Sequence, residues 1–123
     1  MKERTFHHYT CRHGAVGIRG TGWVRPNAHP LLRHELIWLT DMAQPQRAAL
    51  GLTSHTLDCD RTSYRVTVQT NDAVWWPIWA RRLDLEVRLK FDRSFGALPA
   101  RWWVYQGQLR AVKVEKLSEL VCQ

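Results

Sequence analysis

Residues 8–24 read HYTCRHGAVGIRGTGWV, and this stretch decides the expected fold because its pattern changes from strand to helix. Residues 4–9 are rich in aromatic side chains and predict a strand that ends at Thr10. The Thr10 hydroxyl can accept hydrogen bonds from the first amides of a helix, so residues 11–19 are predicted to be helical. This helix is expected to end at the two glycines that follow, Gly20 and Gly22.

A second strand followed by a helix is predicted further along the chain. Residues 34–40, HELIWLT, form a compact apolar run of strand length. Asp41 can cap a helix that continues through Gln46 to Leu50. Residues 64–69, YRVTVQ, alternate apolar and polar side chains, so they predict a half-buried strand.

The second half of the chain predicts one helix and further strands. A tryptophan-rich helix is expected over residues 73–83, with Pro77 in its first turn. The alternation from Leu83 to Lys90 predicts a strand or an extended surface segment. Residues 101–105 and 109–114 are expected to pair as antiparallel strands around a Gln-Gly-Gln turn.

Length and charge limit the class of protein. A chain of 123 residues with 45% hydrophobic side chains predicts a single α+β domain, residues 1–123, with a sheet-dominated core and short helices. The formal net charge of +7 favours polyanionic partners such as nucleic acid or nucleotide phosphates. No segment approaches the roughly 20 apolar residues of a membrane-spanning helix, so we expect no membrane partner and a cytoplasmic location.

The cysteines and tryptophans have ordinary structural interpretations. Cys11, Cys59 and Cys122 are odd in number and far apart, which favours reduced thiols. His8, Cys11 and His13 have no fourth ligand nearby, so we expect no metal. Most of the seven tryptophans are predicted to lie in the core, with stacking on bases as the alternative.

Two segments together resemble motifs of the ADP-ribosyltransferase fold, a family that includes poly(ADP-ribose) polymerases, DNA-targeting ADP-ribosyltransferase toxins and RNA 2'-phosphotransferases. The first is similar to an H-x-T strand followed by I-x-x-x-G-L-x-P, and it consists of His8, Tyr9, Thr10, Ile18, Gly22, Trp23 and Pro26. The second is LIWLTDMA, residues 36–43, similar to G-I-Y-F-A-D-M. The resemblance implies a small, split β-sheet core and NAD as co-substrate.

The resemblance also implies roles for individual residues. His8 would hold the nicotinamide-side ribose, with Tyr9 and Thr10 supporting it. Trp38 would form part of the nicotinamide pocket. The rings of His8 and Trp38 are therefore expected to converge on one cavity.

The third element of the resemblance departs from the family pattern. Members carry a glutamate at the start of a late strand, where it supports positive charge that develops on the ribose. Here Gln108 stands at that position, and an amide supplies no negative charge. In a different register, Glu115 or Glu86 would take this role.

Arginine outnumbers lysine in this chain, and guanidinium groups suit phosphate recognition. Arg12 and Arg19 are expected to bind the dinucleotide phosphates. A nucleic-acid target is expected to contact four arginines, Arg61, Arg65, Arg81 and Arg82.

Together these features predict an NAD-dependent ADP-ribosyltransferase that displaces nicotinamide and modifies DNA or RNA, or else protein. One alternative is a non-enzymatic, basic and tryptophan-rich module that binds nucleic acid or inhibits a partner. Another is a degenerate transferase fold that binds nucleotide only.

Overall fold

A computed structural model describes residues 3–28, 31–44, 63–93 and 97–117. Their strands are β1 (Thr5–Thr10), β2 (Trp23–Val24), β3 (Asn27–Ala28), β4 (Glu35–Thr40), β5 (Tyr64–Gln69), β6 (Val74–Trp75), β7 (Trp102–Tyr105), β8 (Leu109–Arg110) and β9 (Lys113–Lys116). Their α-helices are α1 (Arg12–Thr21), α2 (Trp76–Trp79) and α3 (Leu85–Asp92). Two short 3-10 helices cover Ala80–Arg82 and Pro99–Arg101.

One antiparallel sheet contains seven of these strands, in the order β6-β7-β4-β1-β5-β9, with β3 beside β4. β1 lies near the centre and pairs with β5 along its whole length, from Thr5 opposite Gln69 to Thr10 opposite Tyr64. β2 and β8 form a separate two-stranded sheet. The predicted mixture of short helices with a large sheet is therefore confirmed.

One face of the large sheet packs beneath α1. Phe6, Val66, Val68 and Trp103 form its apolar centre, and Ile18 of α1 is buried against them. Alternation along the strands explains this set, because every second side chain of a strand points to the same face. The predicted strands β1, β4 and β5 are confirmed.

A cluster of aromatic side chains covers part of the opposite face. This tryptophan cluster contains Trp76, Trp79 and Trp102, which are buried together with Leu36 and Val104. The half-buried Trp38 ring packs against it. With Trp103 buried in the α1 face, four of the seven tryptophans are buried, which confirms the core interpretation for most of them.

The helix α1 is longer than predicted and begins differently. It starts after Cys11, where no side chain caps it, so the predicted capping role of Thr10 is wrong. It continues through Gly20 to Thr21 and ends at Gly22, whose φ of 80° places it in the left-handed region that glycine tolerates. The helix predicted from Asp41 falls largely on residues 45–50, outside the described residues.

The prediction for residues 83–90 is wrong, because Leu85–Asp92 is the helix α3. Leu83, Val87 and Phe91 recur every four residues and pack against the tryptophan cluster, so tertiary contacts favour the helical period. The predicted helix over residues 73–83 is shorter than expected, since Val74–Trp75 is a strand and α2 begins only at Trp76. Pro77 does lie in the first turn of α2.

The predicted pairing of residues 101–105 with 109–114 is also wrong. β7 lies between β4 and β6. β8 pairs with β2, and β9 pairs with β5. Each of these late strands has a partner from an earlier part of the chain. Their apolar side chains pack in the same buried clusters as the side chains of those partners.

Two stacked tryptophans of the cluster differ in one hydrogen bond. Trp76 and Trp79 are fully buried, with ring centroids 5.8 Å apart. The Trp76 Nε1 group donates to Asp92 Oδ1 at 2.8 Å, whereas the Trp79 Nε1 group is buried without an acceptor among the described residues. Burying an unpaired donor costs free energy. A phenyl ring has no such donor and avoids this cost.

We expect both Trp76→Phe and Trp79→Phe to lower the free energy of unfolding. The loss in Trp79→Phe is expected to be smaller than the loss in Trp76→Phe by about 1–2 kcal/mol. Both changes remove similar ring area, but only Trp76→Phe also breaks a hydrogen bond. Urea denaturation of the two variants measures the difference. An equal loss, or a larger loss in Trp79→Phe, would contradict the assignment of this unpaired group.

Candidate functional site

A cavity of about 240 Å³ lies where β1, α1 and β2 meet. Its polar lining, which defines the histidine cavity, consists of His8, Thr10, His13, Thr21, Arg25 and Asn27. Cavities that bind small molecules have volumes of about 300–1,000 Å³. The histidine cavity is therefore large enough for part of a dinucleotide, such as one ribose, but not for all of it.

The ring of His8 is oriented by the backbone of the neighbouring strand. His8 Nδ1 lies 2.9 Å from the carbonyl oxygen of Trp38. A carbonyl oxygen can only accept, so Nδ1 carries the hydrogen and Nε2 is an acceptor when the ring is neutral. This hydrogen bond fixes the orientation of the His8 ring at the cavity wall.

Thr10 can lie close to α1 at the cavity wall because the helix residue beside it, Gly14, has no side chain. A Cβ atom added to Gly14 would lie 2.0 Å from Thr10 Oγ1, far inside contact distance. A Cβ atom added to Gly17, one turn later, would meet nothing within 4 Å. Gly14 therefore sets the close approach of α1 to β1, and both glycines line the cavity.

The rings of His8 and Trp38 do not share a cavity, so the expected convergence is wrong. His8 shares the face of β1 that carries Phe6 beneath α1. Trp38 points to the other face, where its ring lies 4.8 Å from that of Trp76 and 5.8 Å from that of Phe91. The two strands meet in a register that aligns His7 with Thr40, and this register puts His8 and Trp38 on opposite faces.

Glu115 also lies on the face opposite His8. Arg65 donates to Glu115 Oε1 from Nη2 at 3.0 Å and from Nε at 3.3 Å, and Lys113 Nζ lies 3.3 Å from Glu115 Oε2. The hydrogen bond from Arg65 is the main cause that lowers the pKa of Glu115. Three strand spacings, about 14 Å, separate β9 from β4 and hence Glu115 from Trp38.

His7 and Tyr9 lie near this ion pair. Tyr9 is buried and its hydroxyl donates to the carbonyl oxygen of Met42 at 2.7 Å. Burial raises the pKa of Tyr9 to about 12. Burial also lowers the pKa of His7, and the positive charge of Arg65 lowers it further. His7 Nδ1 lies 3.4 Å from Thr67 Oγ1.

Gln108 is exposed and directly precedes β8. The first residue of β8, Leu109, pairs with Val24 of β2, and Val24 lines the histidine cavity. Of the residues implied by the resemblance, the structure thus brings His8 and Thr10 into one cavity and leaves Gln108 at the position before β8. Trp38, Tyr9 and Glu115 lie on the other face.

The predicted phosphate and nucleic-acid contacts are dispersed. Arg12 and Arg19 lie on the side of α1 away from the histidine cavity. Arg65 is held in its ion pair, and Arg82 is held over the Trp79 ring at 4.6 Å. Arg81 and Glu86 are exposed on segments away from the cavity, and Arg61 lies outside the described residues.

The predicted catalytic, NAD-binding and nucleic-acid-binding residues do not include four polar residues of the cavity, namely His13, Thr21, Arg25 and Asn27. A signal for this wall exists in the sequence. Gly14, Gly17 and Thr21 recur every three or four residues, so α1 presents one side of small residues. Such a side allows close approach to a neighbouring strand or ligand.

In residues 3–28, 31–44, 63–93 and 97–117, no group of three or more histidine, cysteine or acidic side chains is arranged to hold a metal ion. The same residues contain no helix that is long and apolar enough to cross a membrane. Comparison with protein-family models gives no match, and comparisons with curated proteins and with solved structures give no significant match. The resemblance to ADP-ribosyltransferases therefore rests on the motifs alone.

The Gly14 contact predicts opposite effects for two similar substitutions in α1. Gly17→Ala is expected to raise the free energy of unfolding by about 0.5–1 kcal/mol, because alanine favours helix and the new methyl group meets no atom. Gly14→Ala is expected to lower it by about 1–3 kcal/mol through the clash with Thr10. Thermal or urea denaturation of both variants provides the test, and stabilisation by Gly14→Ala would contradict the close contact.

The lowered pKa of His7 predicts a pH dependence of stability. Because the folded protein binds this proton less readily than the unfolded chain does, the contribution of His7 to stability is fully present above pH 6.5 and is lost as the pH decreases below it. His7→Asn removes this contribution. We expect its free energy of unfolding to change less than that of the wild type between pH 7 and about pH 5.5. Identical pH profiles from urea denaturation would refute this role.

Proposed function

We propose that this protein is a nucleotide-binding domain of the ADP-ribosyltransferase type and that NAD is its ligand. The observation that carries the proposal is the His8 ring, oriented by the Trp38 carbonyl group at the wall of the histidine cavity. The H-x-T motif thus coincides with a polar cavity. The separate β2–β8 sheet beside the large sheet is compatible with a split-sheet core.

The residues of the cavity fit one end of the dinucleotide. His8, Thr10, Thr21 and Asn27 offer the hydroxyl, amide and imidazole groups that recognise sugar hydroxyls. Arg25 supplies a cation at the same cavity for a phosphate. The volume of about 240 Å³ accommodates the nicotinamide-side ribose, and the remainder of NAD would lie outside.

Catalysis places a further demand on this site. Displacement of nicotinamide leaves a cationic sugar, which a nearby carboxylate stabilises in enzymes of this kind. No carboxylate is among the described residues that line the cavity, and Glu115 is engaged by Arg65 and Lys113 on the other face. We therefore propose NAD binding first, since it needs no carboxylate at the cavity. Transfer of ADP-ribose, with nucleic acid as the favoured acceptor, extends this proposal.

A pair of adjacent histidines gives a matched test of NAD binding. His8→Ala removes the proposed ribose contact and is expected to weaken NAD binding about tenfold, the effect of one hydrogen bond. His7→Ala changes the same residue type on the opposite sheet face and is expected to retain wild-type affinity. Isothermal titration calorimetry measures both, with thermal unfolding as the check on folding.

Wild-type protein that does not bind NAD, or equal affinity in wild type and His8→Ala, would contradict the proposal. The extension is tested by chromatography of nicotinamide released from NAD in the presence of DNA or RNA. We expect any release to disappear in His8→Ala and to persist in His7→Ala. NAD binding without release identifies a domain that binds the dinucleotide only.

A further inference from the structure

An exposed tryptophan, Trp23, lies at the edge of the histidine cavity. It is the first residue of β2, it is 38% exposed, and it belongs to the residues that line the cavity. Trp76, Trp79, Trp102 and Trp103 are buried in contrast. Packing in the core therefore explains those four rings and leaves the position of the Trp23 ring unexplained.

The backbone on both sides of this ring is held by hydrogen bonds. The amide of Trp23 donates to Thr21 Oγ1 at 3.2 Å, and the amide of Ala111 donates to the carbonyl oxygen of Gly22 at 2.9 Å. Trp23 also pairs with Arg110 across the β2–β8 sheet. The elements that meet at this ring, α1, β2 and β8, all lie within residues that the structure describes.

A fixed aromatic ring is suited to binding by stacking. Because its position is already set by the backbone, a ligand that stacks on it orders little of the protein and loses little affinity to conformational entropy. The indole ring of Trp23 has a large π-face, and every nucleobase has one too.

Two exposed arginines flank the ring. The Arg110 guanidinium carbon lies 5.7 Å from the centre of the Trp23 ring. Arg25 follows two positions later in the same extended segment, and alternate residues of such a segment lie on one side. Neither arginine forms an ion pair with a residue that the structure describes. The ring is therefore exposed in a positively charged environment.

This combination favours one class of ligand. Proteins that bind single-stranded nucleic acid stack bases on aromatic side chains and contact the backbone with cations. An uncharged apolar ligand would gain nothing from the arginines. The positively charged nicotinamide ring of NAD would be repelled by the guanidinium group of Arg110. An uncharged base with an adjoining phosphate fits both the ring and its charged neighbours.

We propose that Trp23 and Arg110 form a base platform, on which a base of a single-stranded nucleic acid stacks while Arg110 contacts the adjoining phosphate. The net charge of +7 favours such a polyanion. A strand bound there would lie beside the histidine cavity. Stacking does not require NAD, whereas the role of this strand as the acceptor rests on the proposed function.

The test uses the full chain and two fluorescently labelled strands of equal length, namely single-stranded DNA and the same sugar-phosphate backbone without bases. Anisotropy measures both affinities. Trp23→Leu is expected to weaken binding of the DNA about tenfold and to leave binding of the abasic strand unchanged, because only the bases stack. Trp23→Phe keeps an aromatic face and should retain most of the affinity for DNA.

The matched control for the ring is Trp75→Leu. Trp75 is a tryptophan of β6 with a nearly equal exposure of 39%, and it has no place in the base platform. This variant should bind both strands like the wild type. Thermal unfolding checks that each variant folds.

Salt dependence tests the arginine. The slope of log affinity against log salt should become shallower by about 0.7 in Arg110→Gln, which is the contribution of one single-strand phosphate contact. The change should occur with both strands, since both carry phosphates. Arg93→Gln removes the charge of another exposed arginine, after the end of α3, and should leave the slope unchanged.

Three results would overturn the base platform. They are absence of DNA binding by the wild type, equal losses in Trp23→Leu and Trp75→Leu, and a loss for the abasic strand as large as that for DNA. If Trp23→Leu does not fold, Arg110→Gln decides, and a slope that does not change would refute the platform.

Added NAD separates this inference from the proposed function. Saturating NAD should not displace the DNA strand, because an acceptor must bind together with NAD. Displacement by NAD would assign the Trp23 ring to NAD and overturn the inference. If the wild type does not bind NAD but still binds DNA through Trp23, the proposed function fails and the base platform is supported.

Discussion

The pairing of β1 with β5 over all six residues of β1 is the constraint on which the histidine cavity depends. Successive side chains of a strand point to opposite faces, so this register places His8 and Thr10 beneath α1 and His7 and Tyr9 on the other face. A shift by one residue would exchange the two histidines and move Phe6 out of its apolar contacts. Because β4 also pairs with β1, such a shift would disrupt two ladders at once.

The two faces of the sheet have different compositions and different uses. The α1 face has an apolar centre, and the histidine cavity borders the helix that covers it. The other face combines the tryptophan cluster with the ion pair of Arg65 and Glu115. In that ion pair the partly buried charges of Arg65 and Glu115 neutralise each other. This favours a structural role for that part of the sheet.

Local patterns in the sequence predict β1, β4 and β5, and they locate His8 and Thr10 on the first of these strands. They fail for residues 83–90, where Leu83, Val87 and Phe91 fit a helical period and the odd-numbered leucines fit a strand equally well. They cannot assign Trp38 to a face relative to His8, because this depends on the register between two distant strands. The ion pair of Arg65 with Glu115 is equally long-range, since the two residues lie 50 positions apart.

Within the part of the chain that the structure describes, β6 and β9 are the outermost strands of the ordered sheet path, and they affect how copies of the molecule meet. β6 has only two residues, so it offers few backbone amides to an approaching strand. β9 begins and ends with a lysine, Lys113 and Lys116, and like charges brought together across a shared edge repel. Strand-by-strand growth into fibres is thereby disfavoured at both margins, even though the centre of the sheet is rich in side chains that promote it.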